Sequence, residues 1–379
     1  MSYALNTIWF ERQRFLPAVL AVAFSAILIA VQAGLMLGLF STVSVPVDAA
    51  RADLWVGYPG VRSVDLARPI PERWATRVAA QPEVGRVEPY AVGFALWLKT
   101  TGPDAVPGPP EIITVVGAKL GPDSLGAIEY LRTHPDLMAK LAEPFTVAVD
   151  EAELGRLGVR RLGDQAEVSG RRVRVVGTTR GYTSISGPYV FCSFETARAL
   201  IRDPAGGASY VLAKCDSPEA AADAARRLGA YGRMSAFTAD EFSTRSRLHW
   251  LFTTKAGVAV AFTALLGLVV GAVVTSQTLY AATAASQREF ATLRAMGIPR
   301  WRLKLTVVEQ SFWVGLFGIA LAAPAAVVLA EMGNRAGTRV WLHPYVVLAA
   351  AGITLLMALG SGLAALRSFQ GVDPAHNIR

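Results

Sequence analysis

Four histidines and two cysteines are all this 379-residue sequence has of two side chains that often carry metal or nucleophilic chemistry. His134, His249, His343 and His376 are scattered, and no His-Glu-x-x-His, Gly-x-Ser-x-Gly or Cys-x-x-Cys motif occurs. The usual zinc, serine-hydrolase and dithiol signatures are therefore excluded, and the chain reads as a non-catalytic protein that binds no metal. No Gly-x-x-x-x-Gly-Lys-Ser/Thr loop is present, so the chain lacks that phosphate cradle for a nucleotide. Charge is sparse, with 17% charged against 53% hydrophobic residues. That is too apolar for an ordinary soluble domain and too polar for a bundle lying wholly in lipid, so a few spans plus a soluble domain is the architecture that fits. The net charge of +8 comes from basic residues spread along the chain, without an aromatic-interleaved basic tract. It reads as membrane-topology charge, and no nucleic-acid partner is expected.

Four runs are nearly free of charged side chains over a bilayer's hydrocarbon core of roughly 30 Å, which takes about 20 helical residues. They divide the chain into a terminus 1–15, span 16–40, outer domain 41–255, span 256–285, loop 286–304, span 305–330, short loop 331–343, span 344–366 and terminus 367–379. The first run exceeds the roughly 7–15 residues of a signal h-region, so it reads as an uncleaved anchor rather than a cleaved signal. Basic residues crowd the loop after the second run (Arg288, Arg294, Arg300, Arg302, Lys304) and both termini (Arg12, Arg14, Arg367, Arg379), whereas the last loop has only Arg335 and Arg339. The positive-inside rule then puts both termini and the 286–304 loop in the cytoplasm, with 41–255 outside.

The outer domain reads as α+β. Short β-branched pieces at 52–58, 111–118, 145–150, 171–179 and 209–215 suggest strands. Helices are expected at 71–81 and 217–230, the second with Ser217 as N-cap and Pro218 at its first position. Residues 238–250, TADEFSTRSRLHW, suggest either a continuous helical stalk into the second span or a loose linker. Cys192 and Cys215 both fall in this domain; an oxidising compartment would let them pair, and otherwise they are two buried thiols.

Between the second and third spans lies SQREFATLRAMG, from Ser286 to Gly297. Ser286 and Glu289 form a capping box, and Gly297 with Pro299 is a stop signal. The enclosed helix of about ten residues, some 15 Å long, carries an apolar strip of Phe290, Leu293 and Met296 among Arg288, Glu289, Thr292 and Arg294. Such a helix is marginal alone and needs a surface. Three readings stand: a helix lying on lipid, a plain turn, or a docking helix for a partner's groove. In the third span Glu309 is either an intramembrane charge with a function or a head-group-depth partner of Arg302. Gly34 with Gly38 and Gly267 with Gly271 are small-residue pairs that let helices approach closely, in runs where glycine is common anyway.

QREFATLRAMGIPRWRLKLTVVEQ, the one-plus-three span layout, the DPAHNIR ending and the start FERQRFLPAVLAVAFSAILIAVQAGL resemble FtsX/MacB-type ABC transporter permeases, most of all the DevC-like branch. The resemblance covers both membrane ends, roughly half the chain. It implies four transmembrane helices, one plus three, with a large α+β extracytoplasmic domain between the first two. It implies that Glu289, Ala291, Leu293, Arg294, Ala295 and Gly297, with Arg288, Phe290 and Met296 beside them, form a coupling helix against a separate ATPase. ATP and Mg would sit on that ATPase, and no cofactor on this chain. Further implied are a homodimer packed through the first two spans, a bacterial inner-membrane location, and a periplasmic adaptor (a membrane fusion protein) with an outer-membrane channel. The activity implied is export of a lipid or other amphiphile by mechanical transmission. A different class within the same family remains: a signalling permease that transports nothing and regulates a cell-wall hydrolase.

Overall fold

A computed structural model of the chain describes residues 3–99, 109–201, 207–285, 292, 296, 299–335 and 338–368. From the N-terminus come α1 (Tyr3–Phe10), α2 (Arg12–Ser41), α3 (Val45–Asp48), β1 (Leu54–Gly57), α4 (Arg73–Ala79), β2 (Val84–Lys99) and β3 (Glu111–Ala118). There follow α5 (Glu129–Thr133), α6 (Pro135–Leu141), β4 (Thr146–Asp150), α7 (Leu154–Leu157), β5 (Gln165–Val168), β6 (Arg171–Thr179), β7 (Tyr189–Ser193) and α8 (Phe194–Ile201). Then come β8 (Tyr210–Cys215), α9 (Pro218–Ala230), β9 (Ser235–Thr238), α10 (Ala239–Thr253), α11 (Lys255–Ala285), α12 (Arg300–Arg335) and α13 (Pro344–Ser368). These form two compact units, Met1–Gly38 with Val258–Arg379, and Leu39–Gly257.

The first unit is helical. Among the described residues, four stretches are long and apolar enough to cross a membrane: Arg12–Ser41, Lys255–Ala282, Lys304–Arg335 and Pro344–Ala364. α2 packs on α11 through small and hydroxyl side chains. Ser25 Oγ meets Thr275 Oγ1 at 3.0 Å and donates to the carbonyl of Gly271 at 3.1 Å. In an apolar surround such bonds satisfy groups that lipid would leave bare. Arg14 donates to the carbonyl of Ala282 at 3.2 and 3.1 Å, so a cation answers the negative end of α11. α12 runs on through Pro324.

The outer unit is built around β2, sixteen residues long. Its first half pairs with β8 from Val84 to Tyr90, its second half pairs with β3 from Tyr90 to Trp97, and its end pairs with β5. The pairings β2–β3–β7–β4–β6–β5 return to β2 and close a ring of six strands. From β2 the antiparallel wing β8–β1–β9 extends. Side chains alternate across each strand. One set, from all six ring strands, fills the ring: Trp97, Ile113, Val190, Val147, Val175 and Val168. The other set faces α10 and the short helices, with Trp55, Tyr90, Tyr189 and Tyr210 at its centre. α4 and α9 cover the wing with Trp74, Val78 and Leu228.

The expected strands appear at 54–57, 111–118, 146–150, 171–179 and 210–215, and the two expected helices at 73–79 and 218–230. Ser217 caps α9, accepting from the backbone N of Ala220 at 3.2 Å. The continuous stalk is corrected. α10 stops at Thr253, Thr254 is extended (φ −92°, ψ 149°), and a new helix begins at Lys255. Thr254 Oγ1 donates to Trp250 O at 2.6 Å and accepts from Gly257 N at 3.0 Å, closing one helix and opening the next. A Cβ on Gly257 would stand 2.2 Å from the carbonyl oxygens of both Trp250 and Leu251, so only glycine fits this joint.

Candidate functional site

The outer unit begins in the last turn of α2 and ends in the first turn of α11, and segments near its two ends are tied to each other. α10 starts under the Thr238 cap, whose side chain accepts from Glu241 N at 3.3 Å. Phe242 anchors the helix in an aromatic group, 5.5 Å from Tyr210 and 5.2 Å from Phe237. One turn apart on one face, Ser243 donates to Asp48 Oδ1 at 2.6 Å and Arg247 donates to Asp48 Oδ2 at 2.6 Å. Arg247 Nε also donates to Ser44 Oγ at 2.7 Å, and that hydroxyl donates to Asp48 Oδ2 at 2.7 Å. Asp48 thus holds α3, the first helix after α2, against α10, the last before α11.

A second set of bonds fixes residues 61–65. Val64 N donates to Ser246 Oγ at 3.1 Å, Arg245 Nε donates to Val61 O at 3.0 Å, and Trp250 Nε1 donates to Asp65 Oδ1 at 3.3 Å. From the sheet side, Tyr189 OH donates to the carbonyls of Thr42 and Val43 at 3.0 and 3.2 Å, and Tyr210 OH donates to Val64 O at 2.9 Å. Burial pushes both phenols well above the ordinary tyrosine range, so they stay protonated donors. On β2 the buried Glu88 accepts from Leu125 N at 2.8 Å and pairs with Arg86 at 2.5 Å. Burial, followed by the Arg62 guanidinium, pushes His249 on α10 below its ordinary value; Asp65 opposes this and Arg245 adds to it. Among the described residues no three His, Cys, Asp or Glu side chains gather as a metal site would require. The arrangement is one of fixed geometry.

Of the expected docking residues, Arg288, Glu289, Phe290, Ala291, Leu293, Arg294, Ala295 and Gly297 lie outside the described residues. Met296 is described; its N donates to Thr292 O at 3.1 Å and its side chain is 68% exposed. Glu309 is half-buried in α12, seven residues after Arg302, whose guanidinium lies 5.3 Å over the Trp301 ring. The four glycines expected at a dimer face make their close approaches within one chain. A Cβ on Gly34 would meet Leu342 Cδ2 at 2.8 Å, and one on Gly38 would meet Arg339 O at 2.1 Å. Cβ atoms on Gly267 and Gly271 would touch Leu28 at 3.4 Å and Ser25 at 3.1 Å. The candidate disulfide is not formed: Cys192 and Cys215 are free, buried and in separate core clusters, one inside the ring and one under the wing helices. The Asp48–Arg247 clamp was not foreseen. Its only trace in the sequence is the Ser243/Arg247 spacing on a capped helix, and its partner lies 199 residues away.

A family model described as the MacB-like periplasmic core domain matches residues 15–231, more than half the chain, and one described as the FtsX-like permease C-terminal matches residues 261–373. The chain belongs to the MacB/FtsX family of ABC transporter permeases. Among solved structures it is similar to the periplasmic region of MacB from Actinobacillus actinomycetemcomitans, with 13% identity, TM-score 0.34, and coverage of 52% of this chain and 94% of that one. It is also similar to the extracellular domain of the noncanonic ABC-type transporter YknZ from Gram-positive bacteria, with 13% identity, TM-score 0.31, and coverage of 48% and 98%. No curated protein matches it. As in the MacB/FtsX permeases, the helices that span the membrane flank a periplasmic domain, here the ring-and-wing unit. In this family the chain is generally a non-catalytic membrane subunit that works with an ABC ATPase. Within that frame the clamp joins the two stretches of the periplasmic domain next in sequence to the first and second spans.

Proposed function

We propose that the chain is the permease subunit of an exporter that turns ATP hydrolysis on a separate subunit into movement of its periplasmic domain. The observation that supports this best is the clamp of Ser44, Asp48, Ser243 and Arg247, which makes the base of the domain a single lever. An ATPase closing on the 286–297 segment displaces the spans, and a base with two separately mobile legs would absorb that displacement rather than pass it on. The change is two-state, biased by nucleotide. ATP and Mg stay on the partner, and this chain carries no cofactor. The cargo is a lipid or other amphiphile taken from the outer leaflet. The chain sits in the bacterial inner membrane with both termini cytoplasmic. It acts as a homodimer, with a periplasmic adaptor and an outer-membrane channel.

The test replaces Leu293→Asp together with Arg294→Glu and measures co-purification with the cognate ATPase and ATP hydrolysis. Loss of both, with the permease still inserted, is expected. Unchanged binding and hydrolysis would overturn the docking role of the segment. A permease that instead regulates a cell-wall hydrolase would use the same lever. It is recognised by a hydrolase rather than a coiled-coil adaptor in the neighbouring gene, and by the absence of cargo movement.

A further inference from the structure

On the side of α10 away from Asp48 lies an open groove of about 710 Å³, lined by Arg62, Asp240, Glu241, Arg245, Leu248 and His249. Its chemistry is ordered along the helix. Asp240 and Glu241 lie in the first turn, Arg245 one turn on with Arg62 beside the same cavity, then Leu248 and His249; Phe252 follows on the same helix, beyond the cavity's lining. Arg245, Leu248, His249 and Phe252 are spaced i, i+3, i+4, i+7, a single stripe. Neither Arg62 nor Arg245 pairs with a carboxylate among the described residues; Arg245 rests on the Val61 carbonyl and the Phe237 ring. Leu248 is 47% exposed and Phe252 72% exposed, large apolar surface that no described residue covers. The span begins at Lys255. Three residues reach at most about 10 Å, so Phe252 lies within that distance of the start of the span. An exposed aromatic side chain so near a span can seat in the membrane interface. Toward the span along α10, the stripe therefore presents negative charge, positive charge and apolar surface.

We propose that this groove holds the headgroup of a zwitterionic aminophospholipid of the outer leaflet: the ammonium toward Asp240 and Glu241, the phosphate on Arg62 and Arg245, and an acyl chain along Leu248 and Phe252. The order matches that of the lipid, whose ammonium is outermost, phosphate next and chains innermost. A neutral His249 adds a hydrogen-bond donor for a phosphate oxygen without adding charge. The inference rests on the domain being periplasmic, needs no ATPase, and deepens the amphiphile reading by naming a lipid class and its seat.

The experiment is native mass spectrometry of the full chain in mild detergent, titrated with phosphatidylethanolamine or phosphatidylglycerol, with inorganic phosphate as competitor. Wild type is expected to retain phosphatidylethanolamine preferentially. Charge-assisted bonds of this kind are each worth about tenfold, so Arg62→Gln with Arg245→Gln lowers retention by at least that factor. Asp240→Asn with Glu241→Gln abolishes the preference over phosphatidylglycerol but keeps phosphatidylglycerol bound. Because Arg245 also supports the fold, Arg62→Gln alone, on an exposed side chain, must lower retention too. Equal retention of both lipids by wild type and all variants overturns the proposal. So does displacement by millimolar phosphate without any lipid preference, which would mark a free-phosphate site. The Leu293→Asp/Arg294→Glu protein should retain lipid normally, so a failed coupling result leaves this one readable.

Discussion

Cys215 shows how a single residue's surroundings decide what composition leaves open. Two cysteines in a domain facing an oxidising compartment suggest a bridge, but only the count is written in the sequence, and the core cluster each thiol joins is not. Cys215 ends β8, where its backbone N donates to Asp53 Oδ2 at 2.9 Å. Burial, and then the Asp53 charge, push its thiol up to about 11 from 9.0. The folded value lies above the unfolded one, so the stability this thiol contributes is complete below pH 9 and is lost as pH rises through 11. At pH 8 the fold holds about a hundredfold less thiolate than the unfolded chain. The greater nucleophilicity of a more basic thiolate gives back part of that, leaving about a tenfold deficit in alkylation rate. N-ethylmaleimide labelling at pH 8, read peptide by peptide, should therefore be at least that much slower in the native protein than in urea. Fast labelling of Cys215 in the folded chain would show that the thiol is not held this way.

At the scale of elements, α10 was legible only as a helical stalk or a loose linker, and illegible as a clamp. The Thr238 cap and the acidic first turn are local signals. The break at Thr254 is not, because it depends on Gly257 approaching two carbonyls across the joint. β2 escaped notice for a similar reason. Gly85, Glu88, Pro89 and Gly93 punctuate its sequence like a loop, yet Glu88 is buried because Leu125 N answers it from another part of the fold, with Arg86 beside it on β2. The clamp itself is open to measurement. Asp48 and Arg247 are each about one-third exposed, with side-chain accessibilities of 37% and 33%, so the pair alone is worth roughly 0.2–1 kcal/mol. Asp48→Ala also removes the acceptor of the Ser243 hydroxyl and one of the two acceptors of Ser44, and the total should reach roughly 1–2 kcal/mol. Hydrogen exchange of the α10 amides in the full chain should accelerate correspondingly. A cycle with Arg247→Ala should return a coupling of about 0.5–1 kcal/mol. Zero coupling, or unchanged exchange over α10, would mean that the two ends of the domain are not locked by this carboxylate.

For the whole molecule, the spans were legible because lipid forbids unpaired charge over long stretches, a constraint each helix satisfies by itself. The ring was not, because closing it takes pairings between strands far apart in sequence, β2 with β5 and β3 with β7. That asymmetry predicts how the protein comes apart. All three large core clusters of the outer unit draw only on residues between Val45 and Phe242, and none borrows a side chain from the spans. The Asp48 clamp ties segments 44–48 and 243–247 together a short way inside the two places where a cut would be made. β2 belongs to both ring and wing, and neither closes without it. Residues 39–257 alone should therefore fold as a soluble domain and unfold in one cooperative transition, with circular dichroism and tryptophan fluorescence giving the same midpoint. Two separate midpoints would make ring and wing independent, with β2 only a connector. The absence of any transition would mean that the spans are part of the domain's core, and the lever argument would lose its rigid arm.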